Sequence, residues 1–270
     1  VGERPQGKAE IAGLLERYGL AVHRKLGQHF LADPNVVRRI VAFAGVGPGD
    51  RVVEIGAGTG TLTKALAGAG ATVVAYEVDE RLEPLLAAEV GAVAELRFED
   101  AARVDLERSL AGSPWTMVAN LPYQVGTSVL LDAVTGAGRI DHFVVMVQRE
   151  VADRLVAPSG SKTYGLPSVV AGLFCDVTFG FAVGPQVFFP RPKVDSAVVR
   201  LRRLAPPEPM RLLAVDLAAA AFGQRRKMLR SSLRSVLDDP EATLDLAGLD
   251  PTARPEDLAP ERFLELANAI

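Results

Sequence analysis

Asn120-Leu121-Pro122-Tyr123 closes the apolar run from Trp115 to Ala119, and these residue types at this spacing can do chemistry on a flat amine. The Asn120 side-chain carbonyl and the backbone carbonyl of Leu121 can accept both protons of an exocyclic NH2 group. Pro122 stiffens the turn, so those acceptors stand ready before a substrate arrives. Tyr123 offers a ring face on which a heterocycle can stack. The same tetrad also reads as a strand-to-loop turn with one aromatic packed into core, and a short motif alone does not choose between the two.

The upstream residues choose. Val52-Val53-Glu54-Ile55-Gly56-Ala57-Gly58-Thr59-Gly60, with Leu62, Ala65 and Leu66 following at helical spacing, is an apolar strand, a glycine-rich turn and a helix. That is the geometry of a nucleotide cradle, in which Gly56 and Gly58 let backbone approach a ligand closely. The next strand, Thr72 to Tyr76, ends in Glu77. An acid about twenty positions after the glycine turn is placed to bind both ribose hydroxyls, a spacing that NAD and S-adenosylmethionine sites share. Asp100 follows another short strand and suits an adenine amino group at the pocket rim, although by residue type it is equally a helix N-cap. A dehydrogenase has no use for amine acceptors at the end of a fourth strand. The order of glycine turn, ribose acid, second acid and Asn-Leu-Pro-Tyr therefore selects methyl transfer from S-adenosylmethionine.

These residues need a doubly wound, largely parallel sheet to hold them, and the chain alternates accordingly. Strands are expected at Thr72–Tyr76, Glu95–Phe98, Trp115–Ala119 and His142–Gln148, with helices at Arg81–Ala88 and Val125–Val134 between them. Gly172–Phe181 and Ser196–Leu204 read as two further strands, antiparallel at one edge. An N-terminal helical arm over 1–47 carries a helix at 8–20, a basic loop at 24–31 and a helix from Asp33-Pro34 to about Ala44. Three prolines in Pro206-Pro207-Glu208-Pro209 mark a linker, beyond which 211–237, 243–248 and 260–268 read as helices. The expected fold is α/β: a Rossmann-like catalytic domain over 1–205 and a small all-α domain over 206–270.

With 270 residues the chain can bury a sizeable core, and 49% hydrophobic with 23% charged residues is ordinary for a globular protein. No apolar stretch is long enough to span a membrane, and the polar start at 1–10 shows no signal peptide. One cysteine, Cys175, excludes an internal disulfide and suits the reducing cytoplasm. Three histidines and that cysteine have no metal-site spacing, and no internal repeat is visible. The formal net charge of −3 conceals a separation of charge. Residues 188–235 carry 11 Lys/Arg against 3 Asp/Glu, whereas 236–270 carry 2 against 9. Clustered positive charge is the footprint of a polyanion, or else a solvated, salt-bridged surface. Phe188-Phe189-Pro190-Arg191-Pro192-Lys193 sets adjacent aromatics beside cations, as RNA stacking and phosphate contact require; two core phenylalanines are the ordinary alternative. Gln224-Arg225-Arg226-Lys227-Met228-Leu229-Arg230 is expected on the first helix of the small domain, with Arg226 and Arg230 on one face along a phosphate backbone.

Taken in order, LGQHFL (26–31), EIGAGTG (54–60), NLPY (120–123), MVQREVADRL (146–155), GSKTYG (160–165), FFPRPKVDSAV (188–198) and FGQRRKMLRSSL (222–233) resemble the ribosomal RNA adenine dimethyltransferases, most closely the branch acting on the small subunit. The resemblance implies an S-adenosylmethionine cofactor and two adjacent adenosines near the 3′ end of 16S rRNA in the 30S subunit, each dimethylated during ribosome biogenesis by a cytoplasmic, monomeric enzyme. Carried onto this chain, it implies cofactor contacts at His29, Leu31, Gly56, Gly58, Glu77, Asp100 and Asn120. The substrate pocket would be Asn120, Leu121 and Tyr123, with Phe188 as a second stacking wall. RNA would meet Arg24, Lys25, Arg149 and Lys162, then Arg191 and Lys193, and finally Arg225, Arg226, Lys227 and Arg230. The family usually has Asn where His29 and Gln124 stand, which bears on cofactor contact and on acceptance of a monomethylated amine. Three rivals remain at this level: a large-subunit rRNA methyltransferase giving macrolide resistance, a protein-amide methyltransferase, and a non-catalytic rRNA-binding assembly factor.

Overall fold

A computed structural model describes residues 6–270, which divide into two compact units. The first runs to Ala152 and adds Thr178–Arg202; the second joins Asp153–Val177 to Arg203–Ile270. The chain therefore passes between units three times, where the sequence suggested a single boundary after 205.

In the first unit, helix α1 (Lys8–Arg17) buries Ile11, Leu14 and Leu15 along one face. After the short strand β1 (Phe30–Leu31), helix α2 (Pro34–Ala44) starts where the Asp33 carboxylate accepts from Asn35 N at 2.8 Å and Val36 N at 3.3 Å. It stops at Gly45, whose φ of 68° only glycine adopts cheaply. Strands and helices then alternate: β2 (Arg51–Ile55), α3 (Thr61–Gly68), β3 (Thr72–Glu77), α4 (Glu83–Val90), β4 (Ala94–Phe98), α5 (Leu106–Ser109), β5 (Trp115–Asn120), α6 (Gly126–Gly136) and β6 (Ile140–Gln148), which runs into α7 (Arg149–Leu155). Val52, Val53, Val73 to Tyr76, Met117 to Ala119 and Phe143 to Val147 are buried, as parallel strands covered on both faces require.

The sheet order is β4-β3-β2-β5-β6-β9-β7, with β7 at Cys175–Val183 and β9 at Ser196–Arg203. The pairings from β4 through to β6 are parallel, and β9 runs antiparallel to β6, as the late β runs suggested. Chain order reverses between β2 and β5, so a crevice opens at the carboxyl ends of those strands, where open α/β sheets bind ligands. Strand β8 (Phe188–Phe189) pairs with β1 in a separate antiparallel ribbon, Leu31 opposite Phe188 and Phe30 opposite Phe189.

The second unit is helical where the sequence suggested strand. Helix α8 (Leu166–Phe174) occupies ground assigned to the start of a β run; Pro167 in its first turn and the buried Val169, Val170, Leu173 and Phe174 make it a core helix. Helices α9 (Pro209–Gly223) and α12 (Pro260–Asn268) pack against it, and a Cβ at Gly172 would stand 2.6 Å from Pro260 Cγ. The Tyr164 hydroxyl donates to the Leu258 carbonyl at 2.7 Å inside this unit. The expected helix over 211–237 is broken. It ends at Gly223, turns through Gln224 to Met228, and resumes only as α10 (Leu229–Ser232), with α11 at Pro240–Leu246. Met228 sits in extended backbone and Lys227 N bonds back to Gln224 O, so Arg226 and Arg230 do not share a helical face. No helix among the described residues is long and apolar enough to cross a membrane.

Candidate active site

One crevice gathers most of the residues that the motifs single out. Leu26–Leu31, Glu54–Thr59, Glu77, Asp100 and Asn120–Tyr123 all line it. The glycine turn forms its floor: Gly56 N and Ala57 N donate to the Tyr76 carbonyl at 2.8 and 3.0 Å, folding the turn over the end of β3. Gly56 and Gly58 have φ of 82° and 59°, and a Cβ on Gly58 would come within 3.0 Å of the Phe30 ring. Side chains are thus excluded where backbone must meet a ligand.

Glu77 is 7% exposed and held from three sides. Its Oε2 accepts from Gly58 N at 2.8 Å, and its Oε1 accepts from Val78 N and Asp79 N at 3.0 Å each. Burial raises its pKa, and those backbone donors pull the other way. Three of about four lone-pair sites are thereby used, leaving Oε2 one acceptor position for a hydroxyl. Asp79 behind it is held low by Arg81, which forks onto it at 2.6 and 2.7 Å. Asp79 also receives Gln28 Nε2 at 2.7 Å, and Gln28 Oε1 accepts from His23 N, so the 23–28 loop is tied to the end of β3. Asp100 both lines the crevice and caps its own turn, accepting from Ala102 N at 3.1 Å. The ligand reading and the cap reading of this residue therefore coexist.

At the end of β5 the Asn120 amide donates to the His29 carbonyl at 3.1 Å. This fixes the amide plane, and no donor among the described residues reaches Asn120 Oδ1. Leu121 is buried through its side chain and its N–H bonds Met146 O at 3.1 Å, while its carbonyl accepts nothing among the described residues. Two acceptors thus remain open in one crevice wall. The Tyr123 hydroxyl is fixed by Ser196 Oγ at 2.6 Å, and burial raises its pKa. The His29 ring stacks on Tyr123 with centroids 5.4 Å apart and planes 29° apart, while its Nδ1 faces the Pro190 carbonyl at 2.8 Å. Since a carbonyl only accepts, Nδ1 carries the proton.

Phe188 requires a correction. It is 1% exposed, packed in the core opposite Leu31, and does not line the crevice. A strand alternates faces, so β8 turns Phe188 inward and leaves Phe189 half-buried; the stacking wall expected at Phe188 is not there. Gln124 is exposed beside Gly27 and is not among the lining residues.

The basic residues fare unequally. Lys25, Arg191 and Lys193 are exposed on the first unit, as is Arg149, whose guanidinium lies 4.9 Å from the Phe179 ring centre. The side chain of Arg24 lies outside the described residues. On the second unit Lys162, Arg226 and Lys227 are exposed. Arg225 is instead paired with Glu256 at 2.7 Å and donates to the Lys162 carbonyl, and Arg230 is paired with Glu241 at 3.1 Å.

Sequence reasoning missed Glu54. It is 1% exposed, lines the crevice, and accepts from Thr63 Oγ1 at 2.6 Å. Burial pushes its carboxyl up to about 8, against the Thr63 bond and with a further push from Glu77. A lone acid inside an apolar strand was the available signal. Ser196 gave none, because its partner Tyr123 lies 73 residues away.

The model of the ribosomal RNA adenine dimethylase family matches residues 19–270. The chain belongs to this family. It is 47% identical to ribosomal RNA small subunit methyltransferase A of Phenylobacterium zucineum, over 94% of this chain and 90% of that one. To the protein of the same name from Nocardia farcinica it is 45% identical, over 97% and 94%. Among solved structures, the 23S rRNA methyltransferase ErmE aligns with a TM-score of 0.65 at 28% identity, covering 89% of this chain and 98% of ErmE. A dimethyladenosine transferase from Plasmodium falciparum shares the fold with a TM-score of 0.73 at 23% identity, covering 88% and 96%. The protein is accordingly an S-adenosylmethionine-dependent rRNA adenine dimethyltransferase of Rossmann-like fold. Its crevice fits that cofactor: Glu77 keeps an acceptor for a ribose hydroxyl, and the buried Glu54 carboxyl suits a ligand of positive charge.

Proposed function

We propose that this enzyme dimethylates two adjacent adenosines near the 3′ end of 16S rRNA, acting as a monomer on the 30S subunit in the cytoplasm. Support for the small subunit comes from the 45–47% identity, along nearly the whole chain, to proteins named for it, against 28% to ErmE. The observation that carries the chemistry is the orientation of Asn120, whose N–H side is taken by His29 O while Oδ1 stays open beside the Leu121 carbonyl.

Bound S-adenosylmethionine supplies an electrophilic methyl group on a sulfonium. Glu77 and the glycine turn would hold its nucleoside end, and Glu54, lining the same crevice, would offer a carboxyl to its cationic part. The adenine amine is a poor nucleophile because its lone pair is conjugated with the ring. Asn120 Oδ1 and Leu121 O accept its two protons and draw the nitrogen towards tetrahedral geometry, which localises the lone pair. The methylated ammonium is acidic enough to lose its proton to water, so no general base is assigned. The target base is flipped from its stack, and the Tyr123 ring, which lines the crevice, offsets the stacking it loses. Phe188 takes no part in this conformation. Exposed Lys25, Arg149, Arg191 and Lys193 on one unit, with Lys162, Arg226 and Lys227 on the other, carry phosphate contacts.

The test is methyl transfer to 30S subunits lacking the modification and to 50S subunits in parallel, with product nucleosides resolved by mass spectrometry. Dimethyladenosine at two adjacent 16S positions is expected. Transfer to 50S alone would pass the function to the large-subunit branch, and monomethyladenosine alone would deny the second transfer.

A further inference from the structure

The glycine turn is gripped from two sides, and the outer grip comes from a residue near the start of the chain. Gln6 is wholly buried. Its Nε2 donates to the Thr59 carbonyl at 3.1 Å and to Glu89 Oε2 at 3.3 Å, while its Oε1 accepts from Thr61 Oγ1 at 2.7 Å. Thr59 and Thr61 are 2% and 4% exposed, and both line the cofactor crevice. Among the described residues the Thr59 carbonyl has no other partner. Glu89 is in turn paired with Lys64 of α3, the helix that leaves the turn. The arm carrying Gln6 is itself anchored: Ile11 N bonds Gly7 O, and Ile11, Leu14 and Leu15 sit in the core.

We propose that Gln6 is a positioning residue of the cofactor site, fixing the Thr59–Gly60 peptide from outside as Glu77 fixes Gly58 from inside. The inference rests on the crevice being the cofactor site. Gly60 stands at φ 80°, and its N–H bonds the Ala57 carbonyl at 2.9 Å within the turn, so Gln6 supplies the second hold on this peptide, at the Thr59 carbonyl. A buried carbonyl and a buried hydroxyl that lose their shared partner rotate to find another, and the backbone of the crevice floor moves with them. Nothing in the glycine motif itself signals this, because Gln6 bonds residues 53 and 55 positions later.

The experiment measures S-adenosylmethionine affinity calorimetrically in Gln6→Ala and Gln6→Glu, with backbone amide exchange of Gly58 to Thr61 in the cofactor-free proteins. Gln6→Ala should weaken binding about tenfold and speed exchange at the turn. The kcat at saturating cofactor should stay within about twofold, so the loss appears in KM for the cofactor. Gln6→Glu keeps the size but sets a carboxylate against the Thr59 carbonyl and Glu89, and should weaken binding at least as much. Lys8→Ala, an exposed change on the same arm, should leave affinity unchanged. A lowered melting temperature with wild-type affinity and wild-type exchange at the turn would overturn the proposal, because a purely structural glutamine behaves that way. If both variants fail to fold, the wild-type protein decides: the Gln6 side-chain NH2 resonances should shift on cofactor saturation, and unmoved resonances would overturn it. Failure of the wild type to bind S-adenosylmethionine would instead sink the cofactor assignment itself.

Discussion

Glu77 and Arg225 are both charges expected from the sequence to meet a ligand, only the first of them by its spacing, and the structure treats them oppositely. Glu77 is held by backbone N–H groups of Gly58, Val78 and Asp79, and still keeps an acceptor facing the crevice. Arg225 spends its guanidinium on Glu256 and the Lys162 carbonyl, 31 and 63 residues distant. A group whose partners are the local backbone of its own motif can be assigned from the motif. A long side chain whose partner is chosen by tertiary packing cannot.

The contrast is sharpest if each side is broken in turn. Glu77→Ala should weaken S-adenosylmethionine binding by ~100-fold, measured calorimetrically, because a charge-assisted acceptor is lost and three backbone donors are left unpaired. A smaller but diagnostic effect is expected at Glu54. Its pKa is raised from the ordinary 4.5 to about 8, so below 4.5 folded and unfolded chains are both protonated and nothing is lost. Between those values the unfolded chain ionises while the folded one keeps its proton, and stability falls as pH rises. Glu54→Gln should therefore melt several °C above the wild type at pH 8 and close to it at pH 5. Equal shifts at both pH values would deny the buried neutral carboxyl. Cofactor binding at pH 7 should also release a fraction of a proton from Glu54, read from the dependence of calorimetric heat on buffer ionisation enthalpy.

On the other side, Arg226→Ala and Lys227→Ala should each weaken RNA binding and lower its log–log salt slope by about 1, leaving cofactor affinity alone. Arg225→Ala should instead cost about 1 kcal/mol of stability in denaturant melts and leave the salt slope nearly unchanged, since its half-exposed ion pair is structural. A full unit of slope lost at Arg225 would mean that its guanidinium meets phosphate as Arg226 and Lys227 do. An effect of the same size, about 1 kcal/mol in denaturant melts, is expected at Tyr164→Phe, which removes one buried bond to Leu258 O.

Much of the catalytic half was legible because its signals are local and periodic. Apolar runs ending in glycine, acid or amide placed β2, β3 and β5 and put Gly56, Glu77 and Asn120 at one edge. The alternation of β8 was legible too, but which of Phe188 and Phe189 turns inward depends on pairing with β1, a long-range event. The break after Gly223 had glycine as its one local signal, outweighed in the sequence by the good helix formers Gln, Arg, Lys and Met that follow it. The same holds for α8, whose apolar run reads equally as strand until the helices around it are known.

The most direct measurement is single-turnover methyl transfer by Asn120→Ala at saturating S-adenosylmethionine, with cofactor affinity measured on the same protein. The rate should fall by ~10³-fold while affinity stays within about threefold, because Asn120 Oδ1 is kept for the substrate amine. A variant that turns over at the wild-type rate would contradict the role of the open acceptors and leave the Asn-Leu-Pro-Tyr turn a purely structural one.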